Sequence, residues 1–382
     1  MLLSCLSSAC RPLPWTVARR MMSVLSIPSN ELRQLGAQVS QKYEQALSAG
    51  DAFFYESHTH TTGTPTSDAP LERVPWQIRT VPALLKKPKS EPKPSSTEVS
   101  AQPPPSTATH QNPRDVFAPP YVPNLLVKEL PEFTVLVSLS IGAYAAEQIL
   151  RAAAALPDCH ARFVCVAHNA HTDFVPQERP PSPSMLALVY RIMQEHTPNE
   201  PHAEMLSFFN CGKDSGASQP HCHFQLVELT PTPGSSSAVP IETLLSCIEQ
   251  DGKEHGMLNK FSHTDHVHLL PTPWQQFVTL LKPPADPTKL EEYLGMRFSQ
   301  LLETMFAMRH EAEAQGASHP PGVPSFNVLL TKRALYLIPR SGESFDVRAA
   351  GWGVYGTPES APENTGTLSV NALGALSNVP RR

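Results

Sequence analysis

The stretch 208–228, FFNCGKDSGASQPHCHFQLVE, concentrates the residue types that do chemistry. Near its end comes His221-Cys222-His223-Phe224-Gln225. Side chains of a strand alternate between its two faces. His221, His223 and Gln225 therefore share one face, and Cys222, Phe224 and Leu226 point into a core on the other. A neutral imidazole is a good nucleophile at neutral pH, and its bond to phosphorus is labile enough to turn over. For in-line attack a neighbouring group must hold the second ring nitrogen, so that one tautomer presents its lone pair. An isolated HxH most often marks a surface strand. Directly after GASQP and before Gln225, attack on phosphorus is the better reading.

The loop that precedes this strand runs from Asn210 to Gln219. Its small residues let the backbone turn tightly and bring N–H groups close to an anion. Ser215, Ser218 and Gln219 add donors for phosphate oxygens, and Lys213 is either a charge for the site or a solvated side chain. The loop is not a GxxxxGK[ST] motif, and the chain has no GxGxxG.

Elements of an α+β fold must position this segment. Strands are predicted over 133–140, 162–167, 205–210, 221–229, 261–270, 325–331 and 334–339. The 205–210 and 221–229 strands are joined by the Gly/Ser turn. Ser29 or Asn30 can cap a helix carrying Leu32, Leu35, Val39, Tyr43 and Leu47, which Gly50 closes. Further helices are predicted over 143–155, 184–196 and 241–250. A long amphipathic helix carries Leu290, Leu294, Phe298, Leu301, Leu302, Met305 and Phe306 and ends at Gly316. Antiparallel strands with helices packed on the sheet follow from this order.

The chain has 382 residues with a net charge of −5. No basic block marks a nucleic-acid binder, and no apolar run is long enough for a membrane span. The seven cysteines form no CxxC pair, so neither a structural zinc site nor a disulfide scaffold is expected. Pro is in excess, with 41 residues. It gathers with Ser and Thr in 57–75 and 88–120. These are read as extended or disordered connections, with 88–110 an insertion. Residues 1–28 read as a disordered tail, or, from their Arg and Ser without an acid, as a transit peptide. The expected location is cytoplasmic, with mitochondrial as the alternative.

SGASQPHCHFQ is similar to the active-site signature of the diadenosine tetraphosphate (Ap4A) phosphorylases, or ATP adenylyltransferases, of the histidine-triad and galactose-1-phosphate uridylyltransferase superfamily. VPWQIRTVPALLKK at 74–87, NPRDVFAPP at 112–120, FNVLLTKRALYLIPRS at 326–341 and VNALG at 370–374 resemble further family segments in the same order. The resemblance implies a histidine-triad-like antiparallel sheet with flanking helices and long Pro-rich insertions, in one catalytic domain over 29–377. It implies phosphorolysis of Ap4A to ADP and ATP, with His223 as the adenylylated nucleophile. His221 would orient it, partly through its main chain. Gln225 would hold a non-bridging oxygen. Asn210, Ser215, Gly216, Ala217, Ser218 and Gln219 would grip the polyphosphate. Asn327, Thr331 and Lys332 would contact nucleotide or phosphate, and Lys87 would bind phosphate near the N-terminus. Small-molecule nucleotides and phosphate are the implied partners of a monomer. A divalent cation, Mg2+, would accompany the nucleotide, with no protein-bound metal.

Two departures stand out. The Asn-Lys-aromatic triplet of the family is absent from Val137-Ser138-Leu139-Ser140-Ile141, and Trp274-Gln275-Gln276-Phe277 replaces a segment that usually contains His. The rival functions are a hydrolase of the same superfamily and a non-catalytic dinucleotide-binding protein. Elsewhere, His263, His266 and His268 are read as a polar strand face, and His58 and His60 as solvated side chains of a flexible segment.

Overall fold

A computed structural model describes residues 27–51, 58–62, 76–80, 117–130, 132–137, 163–168, 174–198, 201–217, 219–229, 231, 237–255, 266–270, 272, 274–319, 322–342, 344–346 and 367–369. Leu32, Leu35, Val39, Tyr43 and Ala46 recur at helical spacing and are the buried face of helix α1 (Ser29–Ala49). Pro28 takes the N-cap without a side-chain bond, so the expected Ser29/Asn30 cap is not used. Gly50 closes the helix at φ 75°, a conformation only glycine adopts without strain.

Strands β1 (His58–Thr62), β2 (Trp76–Thr80), β3 (Leu126–Glu129), β4 (Phe133–Val137) and β5 (Phe163–His168) follow. After helix α2 (Pro183–Glu195) come β6 (Glu204–Cys211), β7 (His223–Leu229) and helix α3 (Pro240–His255). The chain continues through β8 (His268–Leu269), β9 (Phe277–Leu280), helix α4 (Leu290–Ala314), β10 (Ser325–Leu330), β11 (Ala334–Arg340), β12 (Ser344–Asp346) and β13 (Thr367–Ser369).

Nine of these strands form one antiparallel sheet in the order β3-β4-β5-β7-β6-β10-β11-β9-β8. Helices α1, α2 and α4 cover one face, joining Phe209, Phe224, Leu226, Phe326 and Leu337 in the larger core. Ile241, Leu244, Leu245 and Ile248 of α3 cover part of the other face, over Leu206, Phe208, Val227 and Tyr336. Alternation along each strand assigns these two sets. Helix α2 is held between the sheet and the other two helices, which is why Met185 to Tyr190 are all buried. Ser182 caps it, its hydroxyl accepting from Met185 N–H at 3.2 Å.

Several expectations change. His58 and His60 do not lie in an unstructured segment: β1 pairs with β2, His58 opposite Thr80. The described part of the 133–140 strand is Phe133–Val137, and that of the 261–270 strand is His268 and Leu269. Phe306, read with the apolar stripe of α4, is 46% exposed. β3 and β9 had no counterpart in the sequence reading, because neither four-residue strand shows a period of its own. The helix expected over 143–155, the tail 1–26 and the insertion 88–110 lie outside the described residues.

Candidate functional site

β7 has one face in the larger core through Phe224 and Leu226. Its other face carries His223 and Gln225 before reaching Val227 and Leu229 under α3. On the neighbouring strands the same face carries Phe208, opposite Gln225, and Asn210, opposite Asn327. The apolar cover of α3 thus gives way to polar side chains toward one end of this face. His221 and Asn327 are fully buried, and His223, Gln225 and Asn210 are each at most 5% exposed.

Nδ1 of His223 lies 2.8 Å from the main-chain oxygen of His221. A carbonyl oxygen only accepts, so Nδ1 carries the proton and the ring lone pair resides on Nε2. Phe117 lies against this ring, with centroids 4.6 Å apart and planes tilted by 32°. The ring of His221 meets Phe117 and Phe174 edge-on, at 6.1 and 5.2 Å.

The loop after β6 turns at Gly212, φ 88°, and Gly216, φ 77°. A Cβ on Gly212 would stand 2.5 Å from Ser325 Oγ and 3.1 Å from Ser325 Cα, so glycine alone fits. Ser325 Oγ in turn accepts from Asp214 N–H at 3.1 Å. The hydroxyl of Ser215, expected to face phosphate, instead donates to Gly212 O at 2.5 Å and shapes the loop from within. Gly216, Ala217 and Gln219 follow in the same loop, whereas Ser218 lies outside the described residues, as does Lys87.

Asn327 ties the loop to the sheet. Its Nδ2 donates to Asn210 Oδ1 and to Ser215 O, each at 2.8 Å, and its Oδ1 accepts from Arg340 Nη1 at 3.2 Å. A guanidinium can only donate, which orients the Asn327 amide. Asn210 accepts through its Oδ1, so its Nδ2 is the donor end of the amide.

Thr331 and Lys332 are not brought to this cluster. They begin the β10–β11 turn, four and five residues beyond Asn327, so Thr331 lies about 13 Å along the strand. Thr331 Oγ1 donates to Glu242 and accepts from Arg333 N–H and Ala334 N–H, which closes the turn. Lys332 contributes its carbonyl oxygen to Tyr190 Oη, 2.9 Å away. Glu242 is buried there, and burial raises its pKa against the pull of Thr331, Arg333 and Tyr336. Arg333 Nη1 lies 3.0 Å from Glu242 Oε2, an ion pair that misses hydrogen-bond geometry.

Three residues near the histidines escaped the sequence reading as site residues. Arg340 and Phe117 stood inside quoted segments without a role. Gln177, in a Pro-rich loop, carried no signal. It is 3% exposed, its Oε1 accepts from His223 N–H at 2.7 Å, and its Nε2 donates to Asn210 O at 2.7 Å. Cys211 and Cys222 flank the site on the core face. Burial pushes both thiols up to about 12, so neither is a thiolate nucleophile at neutral pH. His268 belongs to the edge strand β8, with its Nδ1 buried. Among the described residues no three His, Cys, Asp or Glu side chains gather to hold a metal ion.

Residues 198–247 match the Ap4A phosphorylase N-terminal domain, and residues 271–379 match the ATP adenylyltransferase C-terminal domain. In these two segments the chain is similar to the Ap4A phosphorylases. Protein APA1 of Saccharomyces cerevisiae is 23% identical over 317 residues, covering 83% of this chain and 81% of that one. Diadenosine 5',5'''-P1,P4-tetraphosphate phosphorylase 2 of the same yeast is 28% identical over 136 residues, 36% of this chain and 37% of its own. The crystal structure of yeast Ap4A phosphorylase Apa2 in complex with Ap4A has the same fold, with a TM-score of 0.53 and 18% identity over 90% of this chain and 88% of that one. The α+β architecture of antiparallel sheet and flanking helices is therefore shared with that enzyme.

Proposed function

We propose that the protein is an ATP adenylyltransferase that phosphorolyses Ap4A to ADP and ATP through an adenylyl group on His223. The observation that carries this reading is the Nδ1–H bond of His223 to the His221 carbonyl. It holds the ring in one tautomer and leaves the nucleophilic lone pair on Nε2.

Nε2 attacks an α-phosphorus of Ap4A. The N–P bond forms as the bond to the bridging oxygen breaks, and ATP leaves. Inorganic phosphate then attacks the same phosphorus from the opposite side, releasing ADP and restoring the imidazole. Gln225 holds a non-bridging oxygen by its amide. Asn210 donates its NH2 to the polyphosphate, beside the backbone N–H groups of Gly216 to Gln219. Lys87 and Ser218 are further phosphate ligands in this reading. Gln225 stands where a third His would act as an acid or base. An amide cannot transfer a proton in this way, so water is poorly activated and phosphate is the preferred acceptor.

Mg2+ would arrive on the polyphosphate rather than in a protein cage, since charge neutralisation on phosphate oxygens needs only one or two carboxylates and water. The protein would act as a monomer on small molecules, in the cytoplasm or, if 1–28 directs import, in mitochondria.

The test is incubation with Ap4A with and without phosphate. ADP plus ATP, appearing only with phosphate, is the expected result. AMP plus ATP without phosphate would make the protein a hydrolase. Tight binding without products would make it a dinucleotide-binding protein.

A further inference from the structure

We infer that Gln177 is a positioning residue that wedges β6 and β7 apart at the nucleophile; this rests on the adenylyl transfer proposed for His223. The β6–β7 ladder pairs Glu204 with Leu229 through to Phe208 with Gln225. Continued by two residues, it would set His223 N–H against Asn210 O. That bond is replaced. The N–H of His223 donates to Gln177 Oε1, and Asn210 O accepts from Gln177 Nε2, both at 2.7 Å. One side-chain amide thus stands in for a rung of the ladder, at the level of the nucleophile and of a phosphate-loop residue.

The segment bearing Gln177 is itself strapped to the strand that follows the loop. Pro176 bridges to His221, Gln177 N–H donates to Pro220 O at 2.7 Å, and Cys222 N–H donates to Val175 O at 2.8 Å. The amide is therefore not adjustable. Its backbone is tied to residues 220–222, and its head is tied to 210 and 223. A wedge of this kind separates the imidazole from Asn210 by an amide width, which makes room for a phosphoryl group between them. It also leaves the orientation of the His223 backbone dependent on a residue that touches no substrate atom.

Displacement of about 1 Å in such a site costs about 10²-fold in rate. Gln177→Ala in the full-length protein should therefore slow formation of the adenylyl-protein, followed by mass spectrometry in single turnover with Ap4A, by about 10²-fold while KM moves less than about threefold. Equal rates in Gln177→Ala and wild type would overturn the inference.

Gln177→Glu separates positioning from bulk stability. Protonated, the carboxyl has the amide's shape, accepting from His223 and donating to Asn210. Ionised, it sets an acceptor against the Asn210 carbonyl. Burial raises such a carboxyl's pKa, so the rate of Gln177→Glu relative to wild type should climb as pH falls. The groups around the position are His221, His223, Cys211, Glu178 and Arg179, and both proteins contain all of them, so the ratio isolates the new carboxyl. A flat ratio would overturn the wedge even if Gln177→Ala does not fold. If wild type itself forms no adenylyl-protein, the function proposed for His223 fails instead, a result distinct from either variant's behaviour.

Discussion

The imidazole of His223 is held by the main chain of His221. The Nδ1–H of the first meets the carbonyl oxygen of the second at 2.8 Å, while the His221 ring packs between Phe117 and Phe174. The two histidines should therefore fail differently. His223→Ala should lose at least about 10³-fold in phosphorolysis and form no adenylyl-protein. His221→Ala keeps the carbonyl, so its turnover should stay within about tenfold of wild type while stability drops by about 2 kcal/mol for the emptied buried site. Product formation by chromatography and urea unfolding separate the two. Equal loss in both variants would show that the His221 ring takes part in the chemistry.

Gln225 lies on the same strand face, opposite Phe208 and 4% exposed. Replacing it by His introduces a group able to move protons. The share of AMP among the products, formed with water in place of phosphate, should rise by about tenfold in Gln225→His. An unchanged product ratio would refute the role given to the amide.

The amide of Asn327 donates twice, to Asn210 Oδ1 and Ser215 O. Asn327→Asp keeps shape but turns both donors into an anionic acceptor facing two acceptors, and Arg340 compensates on one side only. A loss of about 3 kcal/mol is expected in urea unfolding at neutral pH. A loss under about 0.5 kcal/mol would mean the amide is not oriented as described.

Glu242 controls a pH dependence of stability at the opposite end of the strand. Its folded pKa is raised, chiefly by burial, so the folded state holds the proton more tightly than the unfolded chain does. Its contribution is thus fully present below the unfolded carboxyl range and is lost as pH rises through the raised value. Glu242→Gln has no such titration. The stability of wild type minus that of Glu242→Gln should fall as pH rises from the ordinary carboxylate range through the raised folded value. A difference independent of pH would contradict this.

The residues that could be read in the sequence are those whose geometry is local. Alternation in 221–226 separates His223 and Gln225 from Phe224 and Leu226 at any β-strand position, and the larger core does contain Phe224 and Leu226. The 3.6-residue period of Leu290, Leu294, Phe298, Leu301 and Met305 likewise became the buried side of α4. The period failed at Phe306, because exposure depends on what lies opposite as well as on spacing. Thr331 and Lys332 join Asn327 only through the resemblance of 326–341 to a family segment. An extended strand carries such neighbours away from one another, and the turn holds them at the far end.

By itself, then, the sequence determined the strand that bears the imidazole, the side of it that faces away from the core, and the tight loop before it, because each depends on backbone geometry over a few residues. Only the tertiary structure decided what holds those groups in place. Gln177 lies 46 residues from His223, and Asn327 lies 117 from Asn210. Hydrogen bonds across such separations exist only once the sheet order has placed their strands side by side, and no local periodicity encodes that order.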